Sequence, residues 1–278
     1  MEFIKMHGIG NDYIYFDCTK EIIENPEELS IKLSDRHFGV GGDGIVLIMK
    51  SEIADFRMRM FNADGSEGKM CGNATRCIGK FVYDRGLTDK TQITLETLSG
   101  IKKLDLEVKN GRVESVTVDM GKADFTPQNI PVVSDSEVVM QEITAGEKTE
   151  KVTCVSMGNP HCVIFTKNIM DLDLAKIGPS FENHKLFPER INTEFVEVLD
   201  DTTLKMRVWE RGSGETWACG TGACATVAAA VKNGFCKADT LVTVKLLGGD
   251  LKIKCCSDQR VFMTGPATFV FKGEVYNG

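Results

Sequence analysis

Met58-Arg59-Met60-Phe61-Asn62 is followed, after a short polar stretch, by Cys71-Gly72. Met206-Arg207-Val208-Trp209-Glu210 is followed, after a similar stretch, by Cys219-Gly220. Both landmarks repeat at one offset: Met206 stands 148 residues after Met58, and Cys219 stands 148 after Cys71. The same offset relates Glu67 to Glu215, Gly86 to Gly234, and Gly10-Asn11 to Gly158-Asn159. Each Gly-Asn pair precedes an apolar run, Tyr13 to Phe16 and Cys162 to Phe165. Gly121-x-Ala123-x-Phe125 pairs with Gly265-x-Ala267-x-Phe269 at an offset of 144, so a small length difference falls inside the repeat. Several landmarks on one ungapped offset point to a duplicated plan. Two similar halves are expected, related by a pseudo-two-fold axis.

Working outward, each half shows the same local order. Residues 54–61 alternate apolar and charged side chains, the pattern of a half-buried strand, and 202–209 do the same. Polar loops follow at 62–70 and 210–218. Then comes a helix. Ala74, Cys77, Ile78, Phe81 and Val82 share one face of the first; Ala223, Val227, Ala228 and Val231 share one face of the second. Gly86 and Gly234 are the expected stops. The second helix, rich in Ala and uncharged until Lys232, should be buried all round.

Most other periodic segments read as strands, among them 45–49, 93–97, 104–108, 113–119, 195–199, 241–246 and 260–263. Peripheral helices are expected at 26–36 and about 171–178. The fold class is α+β: two domains, each a mainly antiparallel, curled and barrel-like sheet around a central helix. The expected domains are 1–121 and 122–263, with the last strand, about 264–278, returning to the first. The stretch 122–150, with Pro127, Pro131 and many charges, reads as the bridge between halves.

Composition narrows the function. The 278 residues carry 40 acids against 33 bases, a net charge of −7 that repels phosphate backbones, so no nucleic-acid partner is expected. No apolar run is long enough to cross a bilayer, so no membrane partner is expected. Met1 to His7 lack a basic stretch leading into an apolar core, so a cytoplasmic location and reduced thiols are expected. Gly39-x-Gly41-x-x-Gly44 has the letters of a dinucleotide fingerprint, but it follows a helix and precedes a strand, the reverse of the required order. Cys71-x5-Cys77 and Cys219-x4-Cys224 are poor zinc spacings, and no metal is expected.

Of ten cysteines, Cys18, Cys77, Cys154, Cys162, Cys224, Cys236, Cys255 and Cys256 read as buried structural thiols. Cys71 and Cys219 differ because each stands beside Gly at the start of a repeated helix. The free N–H groups there should bind an anion such as a carboxylate, and the positive helix end should lower the thiol pKa. Two matched thiols suit stereoinversion: if the halves face each other across a cleft, one thiolate removes a proton and the opposite thiol returns one. A hydrolase would need one nucleophile and an oxyanion site instead.

The motifs Met70-Cys71-Gly72-Asn73, Met157-Gly158-Asn159-Pro160-His161, Arg190-Ile191-Asn192-Thr193-Glu194-Phe195, Trp209-Glu210-Arg211-Gly212 and Ala218-Cys219-Gly220-Thr221-Gly222-Ala223 resemble the diaminopimelate epimerase family. The opening Lys5-Met6-His7-Gly8-Ile9-Gly10-Asn11-Asp12 and the loop Asn62-Ala63-Asp64-Gly65-Ser66-Glu67 fit it too. The resemblance implies a cofactor-independent epimerase, with its active site in a cleft between two similar domains. It would convert LL-diaminopimelate to the meso form for lysine and peptidoglycan synthesis. It implies Cys71 and Cys219 as acid/base thiols, tuned by His161 near Cys71 and Glu210 near Cys219. Backbone N–H groups of Gly72-Asn73 and Gly220-Thr221 would hold the reacting carboxylate. Asn11, Asn62, Asn159, Asn192, Glu210 and Arg211 would bind the remainder of a small amino-acid substrate. A homodimer is also implied, although Phe271 replaces a Tyr that some members use in that contact.

Overall fold

A computed structural model describes residues 1–276; Asn277 and Gly278, the end of the expected returning segment, lie outside the described residues. The chain divides into two units, Met1–Val118 with the segment from Thr264 onward, and Asp119–Met263.

The first unit runs β1 (Glu2–Gly8), β2 (Asn11–Cys18), α1 (Pro26–Ser34), β3 (Gly44–Met49), β4 (Phe56–Asn62), β5 (Glu67–Gly68), α2 (Gly72–Asp84), β6 (Gln92–Thr97), β7 (Gly100–Lys109) and β8 (Arg112–Lys122). In β4, Phe56, Met58 and Met60 are buried and the intervening Arg57 and Arg59 are not, so the period-two pattern sets the strand's faces. β3 is buried along nearly its whole length and pairs parallel with β2 and antiparallel with β4. Helix α2 buries Ala74, Cys77, Ile78, Phe81 and Val82, and packs on β1, β2 and β7.

The second unit runs β9 (Gln141–Ala145), β10 (Lys148–Ser156), β11 (Pro160–Phe165), α3 (Leu174–Glu182), β12 (Asn192–Asp200), β13 (Thr203–Glu210), β14 (Gly214–Thr216), α4 (Gly220–Lys232), β15 (Leu241–Leu246), β16 (Gly249–Cys255) and β17 (Arg260–Gly265). Helix α4 is buried continuously from Gly222 to Ala230 and packs on strands on several sides, as its uncharged, alanine-rich sequence requires. The last strand, β18 (Thr268–Glu274), pairs antiparallel with β1 in the first unit.

The repeat survives at the level of register. Tyr13 lies opposite Gly44 in the parallel β2/β3 pair; His161 lies opposite Asn192 in the parallel β11/β12 pair. Ile45 faces Phe61 as Thr193 faces Trp209, and Phe61 faces Glu67 as Trp209 faces Glu215. Each of these partners is 148 residues from its counterpart. Arg59 and Glu67 pair at 2.7 Å, and so do Arg207 and Glu215. Beyond α2 and α4, left-handed Gly86 and Gly234 turn the chain at φ 72° and 76°. Pairing is mainly antiparallel in each unit, with β2/β3 and β4/β6 parallel in the first and β11/β12 and β13/β15 parallel in the second.

Two expectations need correction. The stretch 122–150 is no bridge: Ile130, Val132, Val138, Ile143 and Ala145 belong to the core of the second unit. A 3-10 turn at Pro127–Asn129 and the short β9 bring these side chains inward at irregular spacing, which hides them from a periodicity reading. The two units meet at Val118/Asp119, inside β8, and at Met263/Thr264, inside β17. The helix expected from about 171 begins at Leu174, where Asp173 caps it by accepting the Lys176 N–H at 3.2 Å.

Candidate active site

In the first unit Cys71 is the residue before α2, with an extended backbone at φ −133° and ψ 119°. Its Sγ accepts the Ala74 N–H at 3.5 Å and lies 3.4 Å from the Asn11 amide oxygen. Asn11 is fixed from its other end, donating Nδ2–H to Asp43 at 2.7 Å. Asp43 also accepts the Asp12 N–H at 3.1 Å and pairs with Arg36 at 3.1 Å. Burial, and then the neighbouring Asp12, push the Asp43 carboxyl above its ordinary range. Asn62, at the end of β4, donates to Ser66 Oγ at 3.0 Å. The Asn73 side chain is turned inward and accepts from the buried Arg76 at 2.9 Å. Gly72 and Asn73 form the first turn of α2.

In the second unit Cys219 stands before α4 in the same extended conformation and accepts the Gly222 N–H at 3.4 Å. Thr221 Oγ1 is 3.6 Å from its sulfur. Glu210, at the end of β13, hydrogen-bonds to Cys219 and accepts a close hydrogen bond from Thr216. His161, wholly buried on β11, lies 2.7 Å from Glu194 through Nδ1 and 3.0 Å from the Asn159 amide oxygen through Nε2. Asn159 donates its amide N–H to Thr221 Oγ1 at 3.3 Å. The second unit thus gathers Cys219, Glu210, His161, Asn159 and Thr221 into one network.

Asn192 and Arg211 are tied to the scaffold. Asn192 donates to the Pro160 carbonyl at 2.8 Å and accepts the Arg211 N–H at 2.9 Å, using both ends of its amide. The Arg211 guanidinium donates to the Glu189 carbonyl at 3.1 Å.

The electrostatics overturn one expectation. The helix N-terminus was expected to lower the thiol pKa, yet Cys219 is pushed well above the ordinary thiol range. Burial is the main cause, followed by the negative charges of Glu210 and Glu194; the hydrogen bonds from Thr221 and Gly222 oppose them and are outweighed. Glu210 is itself raised, first by lost hydration. Of the eight cysteines read as structural, seven are buried, whereas Cys256 is half-buried. Among the described residues no group of three or more His, Cys, Asp or Glu is arranged to hold a metal ion, and no helix is long and apolar enough to cross a membrane.

The sequence reading missed Asp43, Thr216 and Glu194. Glu194 sits inside a motif that was quoted, between Thr193 and Phe195 in a strand buried over its first five residues. A lone carboxylate in an inward run was the available signal.

A profile of the diaminopimelate epimerase family matches residues 3–126 and 153–270. A protein described as diaminopimelate epimerase from Acetivibrio thermocellus is 60% identical over 277 residues, covering 99% of this chain and 98% of that protein. One of the same description from Methanococcus maripaludis is 57% identical, covering 99% of each. Among solved structures, a Bacillus anthracis phenazine biosynthesis protein of the PhzF family matches with a TM-score of 0.72 at 18% identity, over 100% of this chain and 99% of that one; it shares the fold. Two thiols capping equivalent helices, in a chain matched nearly end to end, therefore belong to an isomerase, an amino-acid epimerase of the diaminopimelate epimerase family.

Proposed function

We propose that the chain converts LL-diaminopimelate to meso-diaminopimelate without a cofactor, by two-base proton exchange at the α-carbon between Cys71 and Cys219. The observation that carries this reading is the matched placement of the two sulfurs. Each precedes a helix of the same length and accepts an N–H from its first turn, 148 residues apart. The mechanism demands that both sulfurs reach one α-carbon from opposite faces. One, as thiolate, takes the α-proton; the other, as thiol, donates a proton to the carbanion. Backbone N–H groups at Gly72-Asn73 and Gly220-Thr221 stabilise the substrate carboxylate as negative charge spreads onto it.

The surroundings suggest resting roles. Cys219, buried beside two carboxylates, favours the protonated form and donates whenever the opposite thiol takes the α-proton. In the reverse direction the roles exchange. Asn11 and Asn159 orient the substrate, and Arg211 with Asn62 and Asn192 receives its distal amino-acid end, Arg211 pairing with a carboxylate. His161 and Glu210 tune the thiols. The same reading places the enzyme in the cytoplasm, supplying lysine and peptidoglycan synthesis as a homodimer. Val270 and Phe271, exposed on β18, offer apolar surface for a second copy.

Proton NMR of the reduced protein with LL-diaminopimelate in D2O tests the reaction. Loss of the α-proton signal together with meso product, surviving dialysis against a chelator and a carbonyl reagent, is the expected result. Cys71→Ala and Cys219→Ala should each lower epimerisation by at least about 10³-fold while substrate still binds. Wild-type rates in both single variants would remove the two-thiol mechanism.

A further inference from the structure

Glu194 is a costly residue to bury. Its side chain and that of His161 are both fully enclosed, at 0% exposure. Oε1 takes the His161 hydrogen bond, and Oε2 has no hydrogen-bond partner among the described residues. A buried carboxylate with one oxygen unsatisfied loses hydration that a single partner does not restore. The shared fold does not require it. By register, Glu194 is the counterpart of Val46, and His161 is the counterpart of Tyr13. The first unit builds the same strands around these apolar and aromatic side chains. The carboxylate–imidazole pair is therefore extra to the fold, and it lies beside the thiol.

Its reach toward that thiol is direct. A Cβ added to Gly222, in the first turn of α4, would meet Glu194 Oε1 at 2.7 Å and Cys219 Sγ at 3.2 Å. Through the imidazole, the chain of contacts continues from Asn159 to Thr221 and on to Cys219. As placed, both ring nitrogens of His161 face oxygen acceptors, and the contact to Glu194 is the shorter and charge-assisted one. We propose that Glu194 is a positioning residue for the second-unit thiol: it fixes the His161 ring by holding Nδ1–H, and it sets the charge beside Cys219. The part concerning the thiol rests on the two-thiol reading above.

The groups facing this pair come from every neighbouring element. His161 and the buried thiol of Cys162 stand on β11, Glu210 on β13, and Cys219 at the head of α4. Glu194 acts on Cys219 and Glu210 in the same sense, its charge disfavouring their ionised forms. Removing that charge makes the Cys219 proton easier to lose. The alkaline limb of the rate profile, where the donor thiol ionises, must then move to lower pH.

Two substitutions separate charge from geometry. Glu194→Gln keeps an acceptor for Nδ1–H and removes the charge; Glu194→Leu removes both. With Glu194→Gln the alkaline limb of kcat/KM against pH should move down by about one unit. With Glu194→Leu kcat should fall about 10- to 100-fold with KM little changed, the usual cost of losing a group that orients another. Nitrogen-15 NMR of the histidine rings gives a readout independent of turnover. In wild type, His161 Nδ1 should carry a strongly hydrogen-bonded proton, kept in Glu194→Gln and lost in Glu194→Leu. A wild-type Nδ1 without a proton overturns the proposal, even if neither variant folds. A Glu194→Gln protein with an unshifted pH profile overturns the role at the thiol. If wild type shows the bound Nδ1 proton but does not epimerise diaminopimelate, the two-thiol reading has failed and the anchoring of His161 stands.

Discussion

The two units set the same backbone around two different chemical environments. Cys71 and Cys219 occupy the same place before a thirteen-residue helix, with matching strand registers. The groups near Cys71 include the amide of Asn11 with Asp43 behind it, and the buried Tyr15 and Cys77. Around Cys219 they are Glu210, Glu194, His161 and Asn159. At matched positions, Asn62 corresponds to Glu210, Val46 to Glu194 and Tyr13 to His161. The fold therefore sets a helix N-terminus directly behind each cysteine. The side chains around the two sulfurs differ.

The most forceful way to break the comparison is to copy the second environment into the first. Val46→Glu puts an unpaired carboxylate at a fully buried position. It should destabilise the protein by about 3–5 kcal/mol, read from the denaturant midpoint. Adding Tyr13→His should recover part of that loss by restoring the partner. If Val46→Glu is tolerated without loss, the first unit is more hydrated than its packing implies.

A smaller effect sharpens the comparison from the other side. Glu210→Gln, which gives the second unit an amide where the first has Asn62, should lower kcat by about 10²-fold. It should also change how stability depends on pH. The Glu210 carboxyl is raised in the folded protein, chiefly by burial. The folded chain thus holds this proton to higher pH than the unfolded chain, and stability falls as pH rises through that interval. Glu210→Gln should remove this fall, making the variant more stable than wild type at pH 7 but not well below the ordinary carboxylate pKa. Thermal melts across that range check it, and a variant less stable at every pH would contradict the sign.

The smallest effect tests the equivalence of the scaffolds alone. Gly86→Ala and Gly234→Ala each force a side chain into left-handed backbone that has open space around it. Each should cost about 1 kcal/mol, and the two costs should agree within about 0.5 kcal/mol.

The repeat was legible because its landmarks are residues with strong local roles. Cysteine before a helix, glycine after one and an arginine–glutamate pair across a hairpin hold their spacing while the rest of the sequence drifts. Helix α4 was legible for the same reason, since a long uncharged alanine-rich stretch has few alternatives. The segment 122–150 was not, because Ile130, Val132, Val138 and Ile143 reach the core from turns that follow no single period. Glu194 and Asp43 were missed for a different reason. A single carboxylate in a sequence reads as solvated until register shows which way it faces. The Cys219 pKa went wrong because the helix end is a local property visible in sequence. Burial and the approach of two carboxylates are assembled from β12, β13 and α4, far apart in the chain.

One consequence follows from the sulfur caps. Serine, threonine, aspartate and asparagine satisfy the first turn of a helix better than cysteine, whose sulfur is a weak acceptor. The sulfur-to-nitrogen contacts of 3.5 and 3.4 Å are what each helix receives in place of a stronger oxygen cap. A laboratory lineage selected only for surviving heat would be drawn toward Ser at both positions. It would arrive at a sturdier protein that, on the proposed two-thiol mechanism, had lost its chemistry. On that mechanism the two cysteines are places where durability and turnover pull one codon in opposite directions, and only selection on both keeps the sulfur there.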